Sequence, residues 1–196
     1  GSVNFLLRDP STPLRNYAKR HPKAKIPHES RYQDLLAKSR AKLRKKMGPF
    51  WERTKDSVQE ILYHAKQRGV RIGCENRERL EELPVDEDFP EFMAAFPADA
   101  PVGYWHDTGH ADIKQTMGLL DHRGQLEKLA PRLVGFHLHD VTSQGQDHQP
   151  VGSGHVDFQM VSEFWRPEHL LVLELSPRVP VDGVRASRDR IMALLN

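Results

Sequence analysis

A single cysteine, Cys74, is all the thiol this chain holds. No internal disulfide can form, and a reducing, cytoplasmic setting is expected. Long apolar runs are missing as well: none approaches the roughly 18 residues of a membrane span. Residues Gly1 to Arg8 lack the basic start and extended apolar stretch of a secretory leader. The opening Gly1-Ser2, without Met, suits a cloning scar or a fragment. No internal repeat and no low-complexity tract stands out. Aromatic residues make up only 8%. In the basic N-terminal stretch Tyr17 and Tyr32 interleave with Lys and Arg, a sparse set for a surface on which nucleic-acid bases stack.

What is present is the composition of one globular domain over 1–196, 38% apolar and 29% charged. The net charge of +2 hides an asymmetry. Residues 1–72 carry 18 Lys and Arg against 6 Asp and Glu, whereas the remainder carries 11 against 21. Such a basic arm attracts phosphate or nucleic acid, or simply faces the acidic half; the second reading is the stronger.

Residues 1 to about 30, punctuated by Pro10, Pro13, Pro22 and Pro27, read as loop. From Ser30 to Arg68, Leu35, Leu36, Leu43, Met47, Phe50, Trp51, Val58, Ile61, Leu62 and Ala65 recur at helical steps, with Gly48-Pro49 expected to kink or split the helix and Gly69 to cap it. Four short apolar runs follow: Val70 to Glu75, Val102 to Asp107, Leu133 to His137 and Leu170 to Glu174. Each reads as a buried strand. Helical segments are expected near 88–95, 119–129, 158–165 and 187–195. Connections this long make the strands parallel, with right-handed crossovers, so the class is α/β.

Each run ends on a metal-competent side chain: Glu75, Asp107, His137 and Glu174. In parallel α/β proteins ligands bind at this edge of the sheet. A lone glutamate there is most often solvated; four acceptors at the same end of successive strands argue for one site. Three carboxylates and an imidazole are a mostly oxygen-rich set suited to one divalent ion, Mn²⁺, Mg²⁺ or Co²⁺, or to Zn²⁺. A structural zinc site would use cysteines at short spacing, which are absent. Around the four stand Arg77 after the first glutamate, His110 three residues past Asp107, His139 on the same extended face as His137, and His148 in the loop before Gly152-Ser153-Gly154. Arg77 is expected to orient that glutamate or to meet an anionic substrate. His106 reads as a packed core residue and His122 as a histidine without partners.

The set Glu75-Asn76-Arg77, Trp105-His106-Asp107-Thr108-Gly109-His110, His137-Leu138-His139-Asp140, His148 with Gly152-Ser153-Gly154, and Glu174-Leu175-Ser176-Pro177 resembles the xylose isomerase-like TIM-barrel superfamily, which includes sugar and sugar-phosphate isomerases and epimerases and the endonuclease IV branch. The resemblance implies the C-terminal half of a (β/α)8 barrel: residues 58–196 supply strands five to eight, and 1–57 form a basic loop and helix extension. It implies that Glu75, Asp107, His137 and Glu174 hold the metal, that His110 contacts substrate or, as in the nuclease branch, a further metal, and that His139 and His148 join Arg77 in contacting substrate. Glu75 and Glu174 would move a proton next to a carbonyl, through an enediolate, in a sugar, sugar phosphate or sugar acid. Half a barrel exposes an apolar face and a sheet edge, so a second copy or the absent half is an expected partner beside the carbohydrate. Two alternatives stand beside the isomerase: a metal-dependent apurinic-site phosphodiesterase and an inactive barrel fragment. For the phosphodiesterase, Asp147-His148 is one residue shorter than the Asp-x-His that branch carries, and nucleic acid is the weaker partner.

Overall fold

The structure, a computed structural model, describes residues 9–21 and 23–195, the side chains of 23–25 excepted. The first eight residues of the expected loop lie outside them. The chain forms two compact units.

The first unit comprises the described residues up to 72, with 77–102 and 114–120. Its main element is α2, Ser30–Arg68, which buries Tyr32, Leu36, Ser39, Leu43, Met47, Leu62 and Ala65 at steps of three and four along most of its length. The helix runs through Pro49 unsplit, which removes one of the two outcomes expected there. Its Gly48-Pro49 turn sits between the buried Met47 and the half-buried Phe50, so packing on both sides offsets the lost backbone hydrogen bond. Gly69 closes α2 in the left-handed conformation at φ 63°. Leu14, Ile26, Tyr32, Leu36, Leu43, Met47, Leu80, Leu83, Val85 and Leu119 make one core.

The proline-marked N-terminal segment is not all loop. Ser11–Ala18 forms α1, and a 3-10 turn spans Lys23–His28. Pro13 lies in the first turn of α1, where no intrahelical amide is required. The Ser11 amide and hydroxyl both donate to the buried Glu81, at 3.1 and 2.8 Å, and Leu14 is fully buried. Part of the basic arm is spent internally. Arg40 pairs with Glu87 at 2.8 Å, and Arg44 with Glu87 and Asp88; outside the arm, the buried Lys114 pairs with Asp86 at 2.7 Å. The Asp86–Asp88 turn leads into the short helix α3, Phe89–Ala94.

The second unit comprises residues 73–76, 103–113 and 121–196. It carries an open four-stranded sheet, β1 Ile72–Glu75, β2 Val102–Asp107, β3 Leu133–Leu138 and β4 Leu170–Leu173, in sequential order. β2 pairs with β3, and β3 with β4, both parallel. Its helices are α5 His122–Leu129, α6 Phe158–Ser162 and α7 Val181–Leu194, and α4, Thr108–Thr116, follows β2 without a break. The run after Asp107, outside the expected helical segments, is therefore helix. Its signal was the Asp107 side chain, which accepts the His110 amide at 2.7 Å as a helix-capping carboxylate does.

Alternation along the strands sorts two faces. One face carries Phe136 and His106, packed edge to face. His106 sits in a fully buried hydrogen-bonded row, with Tyr104 Oη 2.8 Å from its Nδ1 and His122 Nε2 2.8 Å from its Nε2. The core reading of His106 stands, and His122 is corrected from partnerless to its hydrogen-bonded neighbour. The other face carries Gly73, Trp105, Gly135, Leu170 and Val172. A Cβ on Gly73 or Gly135 would press into the Trp105 indole, so the two glycines make its bed. Leu170 and Val172 are exposed. The half-buried Cys74 thiol is pushed up to about 11 by burial and stays protonated at neutral pH.

Candidate metal and substrate site

Register brings the site together. Trp105 stands opposite Gly135, and Asp107 opposite His137, which in turn faces Val172. Glu174 lies one residue beyond β4, with its amide bonded to the Leu138 carbonyl at 3.2 Å. Glu75 closes β1. One donor atom from each of Glu75, Asp107, His137 and Glu174 lies within 4.8 Å of the others.

His137 Nδ1 is the centre of the group. It lies 2.6 Å from Glu75 Oε1, 3.0 Å from Glu174 Oε2 and 3.9 Å from Asp107 Oδ2. Burial alone would lower the pKa of His137, but the Glu75 hydrogen bond and the charges of Glu174, Glu75 and Asp107 outweigh it and hold the imidazole above its ordinary value. Burial likewise opposes ionisation of Glu75, and the His137 hydrogen bond lowers it overall. The fully buried Asp107 is held well below the usual carboxylate range, because its bond to His139 and the nearby His139 and His110 offset desolvation. Three carboxylates around one imidazole leave negative charge uncompensated. That charge and an oxygen-rich donor set fit a hard divalent cation.

The supporting contacts are less visible in the sequence. Asn76, fully buried, stitches β1 to β2: its Oδ1 accepts the Asp107 amide at 2.7 Å and its Nδ2 donates to the Asp107 carbonyl at 3.0 Å. The Asn76 carbonyl accepts His110 Nδ1–H at 3.0 Å, which leaves Nε2 as the acceptor nitrogen of His110. His139 is fully buried and bonds to Asp107 Oδ2 at 3.1 Å, so it supports a candidate ligand instead of facing substrate. His148 stacks on His139 at 4.4 Å and sits 3.8 Å from Glu174 Oε1. Arg77 belongs to the first unit, where its guanidinium lies 3.8 Å from Glu82.

A second trio, His139, His148 and Glu174, also brings donor atoms within 4.8 Å of one another. His139 has no nitrogen to offer it: Nδ1 accepts the His148 amide at 2.9 Å and Nε2 faces Asp107.

Asp140 organises the loop. Its carboxylate, 1% exposed, accepts four backbone amides, those of Val141, Gly152, Gly154 and Val156, at 2.8–3.0 Å. Sequence placed it in a motif without giving it this work. Asp140→Ala orphans four donors, of which the two glycine amides can turn to water. The expected loss is about 2–4 kcal/mol in urea unfolding. Asp140→Asn, which keeps one acceptor oxygen, should lose less. Equal stability of both variants and the native chain would refute this account.

The family model described as "Xylose isomerase-like TIM barrel" matches residues 31–178. No curated protein matches the chain. Among solved structures it is similar to one described as "Crystal structure of D-tagatose 3-epimerase-like protein", at 18% identity and a TM-score of 0.57, over 98% of this chain and 75% of that one. The four parallel strands are thus part of a TIM barrel, as the sequence implied.

Proposed function

The chain belongs to the xylose isomerase-like TIM barrel family, and from that premise we propose that it is a metal-dependent isomerase or epimerase of a small carbohydrate. The observation that carries this reading is the convergence of Glu75, Asp107, His137 and Glu174 on one point. These four would hold one divalent ion, Mn²⁺, Mg²⁺, Co²⁺ or Zn²⁺. When bound, the ion polarises a substrate carbonyl and makes the neighbouring C–H acidic. Glu75 and Glu174 then remove and return that proton. Each carboxylate has one oxygen for the ion and a second for the proton, and they approach His137 from two strands, β1 and the end of β4. In this reading His110, whose Nε2 is left as an acceptor, would take a hydrogen bond from a substrate hydroxyl, and His148, 3.8 Å from Glu174, would meet the substrate's far end. A partner covering Leu170 and Val172, either a second copy or the remaining half barrel, belongs to the same proposal.

The test is solvent deuterium incorporation. Ketoses, aldoses, their phosphates and sugar acids are incubated in D₂O with each of the four metals, and C–H loss next to the carbonyl is followed by NMR. Exchange into one substrate class with one bound ion per chain is expected. Two or three ions and cleavage of abasic DNA would replace this reading with the phosphodiesterase. No exchange with any substrate or metal would leave an inactive fragment.

A further inference from the structure

We propose that His139 is a positioning residue that ties the loop carrying His148 to the Asp107 carboxylate, so that seating of this loop and uptake of a divalent cation favour one another. The proposal rests on the metal reading above. Its foundation is a chain of hydrogen bonds with one direction. The His148 amide points at His139 Nδ1 at 2.9 Å, and a ring nitrogen that accepts an N–H carries no proton. The ring proton is therefore on Nε2, which donates to Asp107 Oδ2 at 3.1 Å. The other Asp107 oxygen accepts the His110 amide at 2.7 Å. Each carboxylate oxygen is thus held by one donor, and Oδ2 also lies 3.9 Å from His137 Nδ1.

The ring has little freedom. On one side a Cβ at Gly109 would run into it, so the backbone of α4 lies against it; on the other the His148 ring stacks at an interplanar angle of 6°. His148 adopts φ 55°, a left-handed conformation uncommon for a residue with a side chain. Its amide is held by His139, and its carbonyl accepts the Ser176 amide at 2.9 Å, two residues past Glu174. One loop residue is therefore pinned on the side of Asp107 and on the side of Glu174.

The coupling element is the orientation of the ring. The Asp107 carboxylate keeps the ring proton on Nε2 whether the loop is seated or lifted. With the loop lifted, Nδ1 loses its donor and the ring its stacking partner, so Nε2–H is no longer held on Oδ2 and Asp107 loses its fixed orientation. A cation that needs the oriented carboxylate draws the ring, and with it the loop, to its seat. The converse holds with the same coupling constant.

The experiment uses the full chain and Mn²⁺ alone. Ring ¹⁵N shifts read the His139 tautomer, amide hydrogen exchange reads His148, and calorimetry reads affinity. The Nε2–H tautomer is expected, and Mn²⁺ should slow exchange of the His148 amide. His139→Asn keeps an acceptor near Nδ1 but has no donor reaching Asp107; it should weaken Mn²⁺ by about 10–100-fold, the usual effect of removing a partner behind a metal ligand. His139→Gln, whose amide reaches the Nε2 position, should keep most of the affinity while its His148 amide no longer responds to Mn²⁺. An Nδ1–H tautomer, native affinity in His139→Asn, or an unresponsive His148 amide in the native chain would overturn the proposal. Failure of the metal reading looks different: the native chain takes up no Mn²⁺ although the Nε2–H tautomer is present.

Discussion

Asp107→Asn is expected to weaken divalent-metal binding by about 10²-fold or more, and to destabilise the metal-free chain as well. Both oxygens of Asp107 accept N–H donors, Oδ1 from the His110 amide and Oδ2 from His139. Asparagine offers one oxygen and one NH₂ group. Whichever way it turns, an N–H faces an N–H in a fully buried position, at a cost of about 1–3 kcal/mol. The pH profile gives an independent readout. The folded pKa of Asp107 is depressed, so its contribution is present above the unfolded value of about 3.9 and is lost as pH falls through the folded value. The native chain should therefore lose stability on acidification below about pH 4, with part of that slope missing in Asp107→Asn. Calorimetric titration with Mn²⁺ and urea unfolding from pH 7 downward check both statements. Native affinity with an unchanged acid limb would remove Asp107 from the site.

The strands were legible because each is a short, continuous apolar run that stops at a polar residue; β2 and β3 are largely buried as expected, whereas β4 exposes Leu170 and Val172. Glu75, Asp107 and His137 fall inside or at the end of a strand and could be aligned by counting. Glu174 lies one residue past β4, and the same count still reached it. The roles of the surrounding residues were less legible, since they depend on where a ring nitrogen or an amide points. His139 shares the extended face of His137 in sequence, yet its ring turns to Asp107. His106 and His122 are separated by sixteen positions and share a hydrogen bond that no spacing rule anticipates. Arg77 follows Glu75 by two residues but belongs to the other unit, with Glu82 beside it. The helices α1 and α4 were missed for local reasons. Prolines that punctuate a loop also open a helix, and the Asp-Thr-Gly-His run hides a capping carboxylate that already belongs to the site.

Glu75→Gln and Glu174→Gln are each expected to lower interconversion of the two substrate epimers by about 10²–10⁴-fold, the usual worth of a positioned base. Glutamine keeps an oxygen for the cation and loses the oxygen that takes the proton, so the chemistry falls further than metal binding does. The two positions are not equivalent. The Glu75 side chain is 20% exposed and bonded to His137 at 2.6 Å, whereas Glu174 is 42% exposed with the His148 ring nearby. If the two act on opposite faces of one carbon, each variant retains one working base. That base still exchanges the proton of the epimer it serves, without delivering a proton to the other face. In D₂O, Glu174→Gln should place deuterium in one epimer and form almost none of the second, and Glu75→Gln should do the reverse. NMR on the substrate class that the native chain exchanges, with Mn²⁺ affinity measured in parallel, separates loss of a base from loss of the ion. Should both variants interconvert the epimers at the native rate with metal bound, the two-carboxylate mechanism is wrong and the bases lie elsewhere.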